Sequence, residues 1–155
     1  MDVLCPYGKQ HGVRLALENC LPGNFETLEK YFGLYGADVM GMCYDCGHGN
    51  ARVDWPGNGL DWLQKLRERV VDMHLHDNDR SEDEHRMLFE GAMDWARLAR
   101  IIPTTSYRKP VVPLEVSLDK SGETSEGAQR AFLRRAAEAG RKFAAMIEAA
   151  GAAGG

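Results

Sequence analysis

The sequence has few of the features that mark membrane, secreted or nucleic-acid-binding proteins. No apolar run approaches the roughly 20 residues that a membrane span needs. The first residues, MDVLCPYGKQHG, lack the basic start and the apolar block of a signal peptide. A formal net charge of -4 argues against a dedicated nucleic-acid binder, which ordinarily carries a basic face. These absences favour a cytoplasmic protein with no membrane or nucleic-acid partner.

Cysteine is scarce, and its spacing carries little chemical information. The chain has four cysteines, of which only Cys43 and Cys46 have a C-x-x-C spacing. A redox or zinc pair of this kind needs its thiols on a turn or a helix start, and a closed zinc site needs further ligands. Cys43 lies inside a predicted strand, and no second C-x-x-C exists. We interpret the cysteines as reduced residues that pack around a strand end.

Four short runs alternate between apolar and other residues in the manner of β-strands, and a helical pattern follows each of them. The runs are GVRLALEN, ADVMGMCYDCGHGN, VVDMHLHDN and PVVPLEVSL. The helices are predicted over FETLEKYFGLYG with Asn24 as its cap, over residues 60–70, over WARLARII with Asp94 as its cap, and over about 125–149. Four consecutive βα units predict an α/β protein with a parallel sheet.

One polar residue stands at the end of each predicted strand: Glu18, Asp45, His74 and Glu115. In every unit the aliphatic residues share one strand face and the polar residue lies on the opposite face. The C-terminal ends of successive parallel strands converge in a β/α barrel, so we expect these four side chains to meet. Three carboxylates and one imidazole at one point would form a divalent metal site.

The number of βα units is half of what a closed barrel requires. A complete (β/α)₈ barrel typically takes about 250 residues, and four parallel strands leave two unpaired edges that favour association. Missing upstream sequence, pairing of two chains, and an open α/β sheet would each explain the deficit. We favour the C-terminal half of a TIM barrel, strands 5–8, over residues 1–149, with 150–155 as a disordered tail.

The set LALEN, YDCGH, HLHDNDR followed by DEH, and PLEVS resembles the xylose-isomerase-like TIM-barrel superfamily over nearly the whole chain. That superfamily contains sugar phosphate isomerases and epimerases, ketose 3-epimerases, inosose dehydratases and endonuclease-IV-type apurinic endonucleases. The resemblance implies an isomerase or epimerase of sugars or sugar phosphates. Such an enzyme removes a proton next to a carbonyl through an enediolate that a divalent metal stabilises.

The resemblance also implies roles for the residues at the strand ends. The implied metal ligands are Glu18, Asp45, His74 and Glu115. Glu18 and Glu115 would in addition serve as the acid and base that act on carbon. Such a ligand set suits Mn²⁺, Mg²⁺ or Co²⁺.

Four further residues are assigned by the resemblance alone. His48 matches a substrate-contacting histidine three residues after the strand-six aspartate, and Arg80 matches a substrate-contacting arginine of the ketose epimerases. Asp83 and His85 resemble the Asp-x-His pair that binds an additional zinc in the apurinic endonucleases. Since many sugar isomerases keep such a pair without that metal, the pair discriminates poorly between the two functions.

Three other functions stay open at this point. An apurinic endonuclease would use Zn²⁺, a dehydratase of an inositol-derived ketone would use the same enolate-stabilising metal, and a non-catalytic remnant would bind none. The expected partners of the leading hypothesis are a small-molecule sugar and either the missing N-terminal half-barrel or a second chain.

Overall fold

A parallel β-sheet forms the centre of the protein. The computed structural model describes residues 1–20, 25–51, 59–109, 111–118 and 124–153. The strands β1 (Leu15–Glu18), β2 (Met40–Asp45) and β3 (Val70–His74) pair in parallel in the order β1-β2-β3. In this register Asp45 lies opposite His74, and β1 ends at Glu18. The polar strand ends therefore lie together where the carboxyl ends of the strands meet.

Within the described residues, six α-helices connect and cover the strands. They are α1 (Leu4–Gln10), α2 (Phe25–Leu34), α3 (Cys46–Asn50), α4 (Gly59–Lys65), α5 (Trp95–Ile101) and α6 (Glu126–Ala153). The predicted alternation of strands and helices is therefore present. Asp94 caps α5 as predicted, because its Oδ1 accepts the backbone N–H of Arg97 at 2.8 Å. The predicted cap of α2, Asn24, lies outside the described residues.

The core lies between the sheet and the helices that cover one of its faces. The central strand β2 is buried along its whole length, as expected for a strand with a neighbour on each side. Met40, Met42 and Tyr44 are fully buried on its helix-facing side. Phe25 of α2 stacks on Trp62 of α4 with ring centroids 5.5 Å apart, which joins two of the covering helices.

Two short helices and one early helix end differ from the sequence prediction. Neither α1 nor α3 was predicted. The helix expected over residues 60–70 ends at Lys65, and a 3₁₀ turn (Arg67–Arg69) then leads into the next strand. Val70 is fully buried as the first residue of β3, so the chain must leave the helix before that position.

The fourth predicted strand is present as a single parallel bridge between Leu114 and Leu75. Leu75 N donates to Pro113 O at 3.0 Å, and Glu115 N donates to Leu75 O at 2.9 Å. Proline has no N–H to donate, so Pro113 shortens the ladder that this segment can form. The segment nevertheless places Glu115 beside the end of β3.

The last helix is longer than the sequence predicted. α6 continues beyond residue 149 to Ala153, within the stretch expected to be a tail, and residues 154–155 lie outside the described part of the chain. Alanine has the highest helix propensity, which accounts for the extension through this Ala-rich end. Among the described residues, no helix combines the length and the apolarity that a membrane crossing requires.

Candidate metal centre

Four side chains meet at the C-terminal edge of the sheet, with His74 at their centre. Its Nδ1 lies 3.1 Å from Oε2 of Glu115 and 3.7 Å from Oε2 of Glu18. The same nitrogen lies 3.8 Å from Oδ2 of Asp45. The structure thus brings together all four residues that the sequence placed at strand ends. We call Glu18, Asp45, His74 and Glu115 the strand-end cluster.

Two atoms of the strand-end cluster are buried without a hydrogen-bond partner. Within the described part of the chain, neither Oδ2 of Asp45 nor Nδ1 of His74 has one. Buried polar atoms are nearly always partnered in folded proteins, and a bound cation would satisfy both of these atoms at once. Three carboxylates and one imidazole are also the donor set that a hard or borderline divalent cation prefers. The residues therefore fit such an ion.

Asn19 fixes Asp45 by two hydrogen bonds between neighbouring strand ends. The Nδ2 of Asn19 donates to the backbone carbonyl of Asp45 at 2.8 Å. The backbone N–H of Asp45 donates in return to Oδ1 of Asn19, also at 2.8 Å. Asp45 also caps α3, since its Oδ1 accepts the N–H of His48 at 2.7 Å. One carboxylate oxygen is thereby held by the protein and the other faces His74. No role was predicted for Asn19, although it directly follows Glu18.

Replacement of Asn19 by alanine should lower the free energy of unfolding by about 2 kcal/mol, because two buried backbone groups lose their partners. Urea unfolding in the presence of a chelator measures this loss without a contribution from bound metal. Gln129→Ala, on the exposed surface of α6, is the control and should change stability little. An unchanged unfolding midpoint for Asn19→Ala would show that water replaces both hydrogen bonds.

A second cluster, rich in nitrogen, adjoins the first. It consists of His48, His76, Asp83 and His85, whose ligand atoms lie within 4.8 Å of one another. The Nε2 atoms of His48 and His85 lie 3.1 Å and 3.2 Å from Oδ2 of Asp83. We call these four residues the histidine cluster. It contains three residues that the sequence analysis singled out, and His76 in addition.

His48 joins the two clusters. Its Nδ1 lies 3.1 Å from Oε1 of Glu18 in the strand-end cluster, while its Nε2 faces Asp83. His85 reaches the histidine cluster with a φ of 51°, a left-handed backbone conformation that is uncommon for a residue other than glycine. Its Nδ1 lies 2.7 Å from the carbonyl oxygen of Glu115, which ties the cluster to the fourth strand segment.

Asp45 and His76 are buried side by side, and each shifts the pKa of the other. Burial alone would raise the pKa of the Asp45 carboxyl, but His76 and His48 outweigh it and hold that pKa below its ordinary value. Burial alone would lower the pKa of His76, but the carboxylates of Asp45 and Asp83 outweigh it and raise that pKa. The charged form of each partner therefore stabilises that of the other.

The cysteines near the clusters stay protonated at neutral pH. Burial, followed by the charge of Glu18, raises the pKa of Cys43 to about 12. The same two causes raise the pKa of Cys20 to about 11. Burial also raises the pKa of Cys46 well above its ordinary value. All four cysteines are free thiols.

Asp77 anchors the loop that carries part of the histidine cluster. Its fully buried carboxylate accepts four hydrogen bonds of 2.9–3.1 Å, from the backbone N–H groups of Asn78, Gly91 and Met93 and from Nε1 of Trp95. These bonds close the loop at its base. No role was predicted for Asp77 from the sequence.

Arg80 is not brought together with either cluster. Its side chain is exposed, and its guanidinium donates to the carbonyl of Ala92 at 3.4 Å. Across the described residues, no ion pair or hydrogen bond links Arg80 to Glu18 or His74. Contact between Arg80 and a substrate stays a prediction.

The family of the chain follows from comparison with known proteins. Residues 1–142 match the family model described as "Xylose isomerase-like TIM barrel". The chain belongs to this family. One curated relative of this xylose isomerase-like chain is protein y4fM of Sinorhizobium fredii (strain NGR234). It is 33% identical over 106 residues, which are 66% of the chain and 33% of the relative.

Solved structures show the same fold. A D-tagatose 3-epimerase-like protein superimposes with a TM-score of 0.70 at 18% identity, over 95% of the chain and 52% of that protein. An L-ribulose 3-epimerase superimposes with a TM-score of 0.60 at 16% identity, over 92% of the chain and 53% of that protein. The xylose isomerase-like chain thus spans about half the length of these structures and a third of y4fM.

Proposed function

We propose that this chain carries the metal-binding part of a sugar or sugar-phosphate isomerase or epimerase. The observation that carries the proposal is the strand-end cluster, whose side chains converge with buried, unpartnered ligand atoms. The names of the two similar structures, both 3-epimerases or like them, support a ketose as the substrate.

The chemistry of such a reaction explains the composition of the cluster. A proton next to a carbonyl is removed and returned, and negative charge develops on the substrate oxygens. Glu18, Asp45, His74 and Glu115 would hold a divalent cation such as Mn²⁺, Mg²⁺ or Co²⁺, which would supply Lewis acidity at those oxygens.

Exposure divides the carboxylates into two roles. The side chain of Asp45 is fully buried and cannot touch a substrate, so it serves as a ligand alone. The side chains of Glu18 and Glu115 are 26% and 47% exposed, and both face the imidazole of His74. We infer that one of them takes the proton from carbon and that the other returns a proton. His48, next to Glu18, would orient a substrate oxygen.

We also propose that the chain is the C-terminal half, strands 5–8, of the barrel. The coverage of about half of each solved structure supports this, as do the apolar surfaces at both edges of the sheet. Val3, which immediately precedes α1, and Tyr7 of α1 are 80% and 63% exposed. Towards the other edge, a groove of about 660 Å³ lies between α6 and residues 102–109 and 111–114, and most of its lining is apolar, including Leu114 and Phe143. The N-terminal half-barrel or a second chain would cover these surfaces.

Metal titration combined with a proton-exchange assay tests the proposed function. The whole chain, stripped of metal, should bind one divalent ion at the strand-end cluster when titrated with Mn²⁺ or Co²⁺. With a complementing N-terminal half, it should exchange a ketose proton with deuterium from D₂O, as read by NMR of tagatose and ribulose. A protein that binds neither ion would instead be a non-catalytic remnant, and one that binds them without exchanging any ketose would contradict isomerase chemistry.

The histidine cluster favours a second candidate, a zinc-dependent apurinic endonuclease. The imidazoles of His48 and His85 with the carboxylate of Asp83 suit Zn²⁺ better than the strand-end cluster does. This candidate predicts that Asp83 and His85 bind an additional zinc ion and that the completed protein cleaves a duplex containing an abasic site. Cleavage without ketose exchange would replace our proposal by this one. Loss of water from an inosose in the same assay series would instead indicate a dehydratase.

A further inference from the structure

His76 is a buried histidine that no substrate can reach. It lies two residues beyond His74, and its relative exposure is 0%. Its ring stacks on that of His85 with centroids 4.0 Å apart and an interplanar angle of 10°. It also meets His48 edge-on at 5.7 Å. A role for this imidazole must therefore act through its neighbours.

Two carboxylates, one from each cluster, face the same nitrogen of His76. Its Nε2 lies 3.0 Å from Oδ1 of Asp45 and 3.6 Å from Oδ1 of Asp83. On Asp45, the oxygen that meets His76 is the one that also caps α3, whereas Oδ2 faces His74. The Nε2 of His76 therefore lies against one oxygen of Asp45, without a hydrogen bond to any described residue, and leaves the other oxygen for an ion.

Gly47 provides the space for this ring. A Cβ atom at Gly47 would lie 1.8 Å from Cε1 and 2.2 Å from Nδ1 of His76, far closer than two such atoms can approach. The place of the ring against Asp45 therefore depends on a glycine at position 47.

The parallel stacking shows what His76 does not do. An imidazole binds an ion in the plane of its own ring, and two parallel stacked rings cannot both point in their planes at one ion about 2.0–2.1 Å away. As they stand, His76 and His85 cannot ligate the same ion. His76 instead stacks on the ring of His85, and its Nε2 contacts Asp45.

We propose that His76 is a positioning residue that supports both clusters at once, and this proposal rests on the proposed metal-binding function. It orients Asp45 so that Oδ2 faces an ion of the strand-end cluster, and it fixes the ring of His85 by stacking on it. Residues that orient metal ligands typically contribute tenfold to a hundredfold in metal affinity.

Titration with Co²⁺ tests the proposal, because visible absorption reports both affinity and ligand geometry without any enzymatic assay. His76→Leu should weaken Co²⁺ binding by about tenfold or more relative to the unaltered chain. His76→Gln should recover most of the affinity, because its amide can lie beside Oδ1 of Asp45 in nearly the same place as Nε2 does. His11→Leu, at an exposed histidine beyond α1, is the matched control and should bind as the unaltered chain does.

A second variant tests the same idea with every candidate ligand in place. Gly47→Ala displaces the ring of His76 and should weaken Co²⁺ binding as His76→Leu does, even if the leucine variant fails to fold. Full affinity in both His76→Leu and Gly47→Ala would overturn the proposal, as would a glutamine variant as weak as the leucine variant. Failure of the unaltered chain to bind Co²⁺ would overturn the proposed function itself, which makes the two failures distinguishable.

Discussion

Glu115→Gln should reduce metal affinity by at least about a hundredfold and ketose proton exchange by about 10²–10⁴-fold. The change keeps the shape of the side chain but removes the charge that faces Nδ1 of His74 at 3.1 Å. Both the attraction for a cation and the basicity needed to take up a proton depend on that charge. Isothermal titration with Mn²⁺ measures the first effect, and deuterium incorporation into a ketose measures the second.

The same experiment separates the two roles that we assign to Glu115. Glu138→Gln, on an exposed part of α6, controls for the loss of one negative charge and should leave both quantities unchanged. Glu115→Asp retains the charge on a shorter side chain, so it should bind metal better than Glu115→Gln while still exchanging slowly. If Glu115→Gln binds metal and exchanges protons normally, Glu115 has no part in the centre and the interpretation of the strand-end cluster is wrong.

The strand-end cluster could be predicted from the sequence because strand alternation and parallel order are local signals with a geometric consequence. Glu18, Asp45 and His74 each end a run whose aliphatic residues face the helices, so the opposite face and the common edge follow. Their convergence with Glu115 was predicted in the same way, although the fourth segment forms only one bridge. The position of Arg80 could not be predicted in this way, because it depends on a loop that has no periodic pattern.

The residues that support the clusters could not be predicted, because their roles depend on burial that only the folded chain creates. Asn19 is an ordinary polar residue in the sequence. Strand alternation predicts that His76 shares a face with His74, but no spacing predicts its contact with Asp45. Both become fully enclosed once β1, β2 and the chain beyond β3 lie side by side. Helix α3 was missed for a related reason, since CGHGN has poor helix propensity and begins a helix because Asp45 caps it.

The loop that carries Asp83 is held by a single buried carboxylate, that of Asp77. Asn78 adds a second contact at the start of the loop. Its Nδ2 donates to the carbonyl of Gly47 in α3 at 2.7 Å. The loop contains three residues other than glycine with positive φ, Arg80, His85 and Phe89, a conformation with a cost that other contacts must offset. Asp77 supplies such contacts by fixing both ends of the loop.

Asp77→Ala should therefore lower the free energy of unfolding by about 3 kcal/mol or more, because three backbone N–H groups and the indole of Trp95 lose a charged acceptor in the interior. Urea unfolding in the presence of a chelator measures the loss. Asp94→Ala, which removes only the cap of α5, serves as a reference and should lower the free energy of unfolding by about 1 kcal/mol. Asp38→Ala, at an exposed ion pair with Lys9, should change little. Because the loop positions Asp83 and His85, zinc binding to the histidine cluster should weaken together with stability. A variant that is as stable as Asp94→Ala would show that the loop is held by its other contacts.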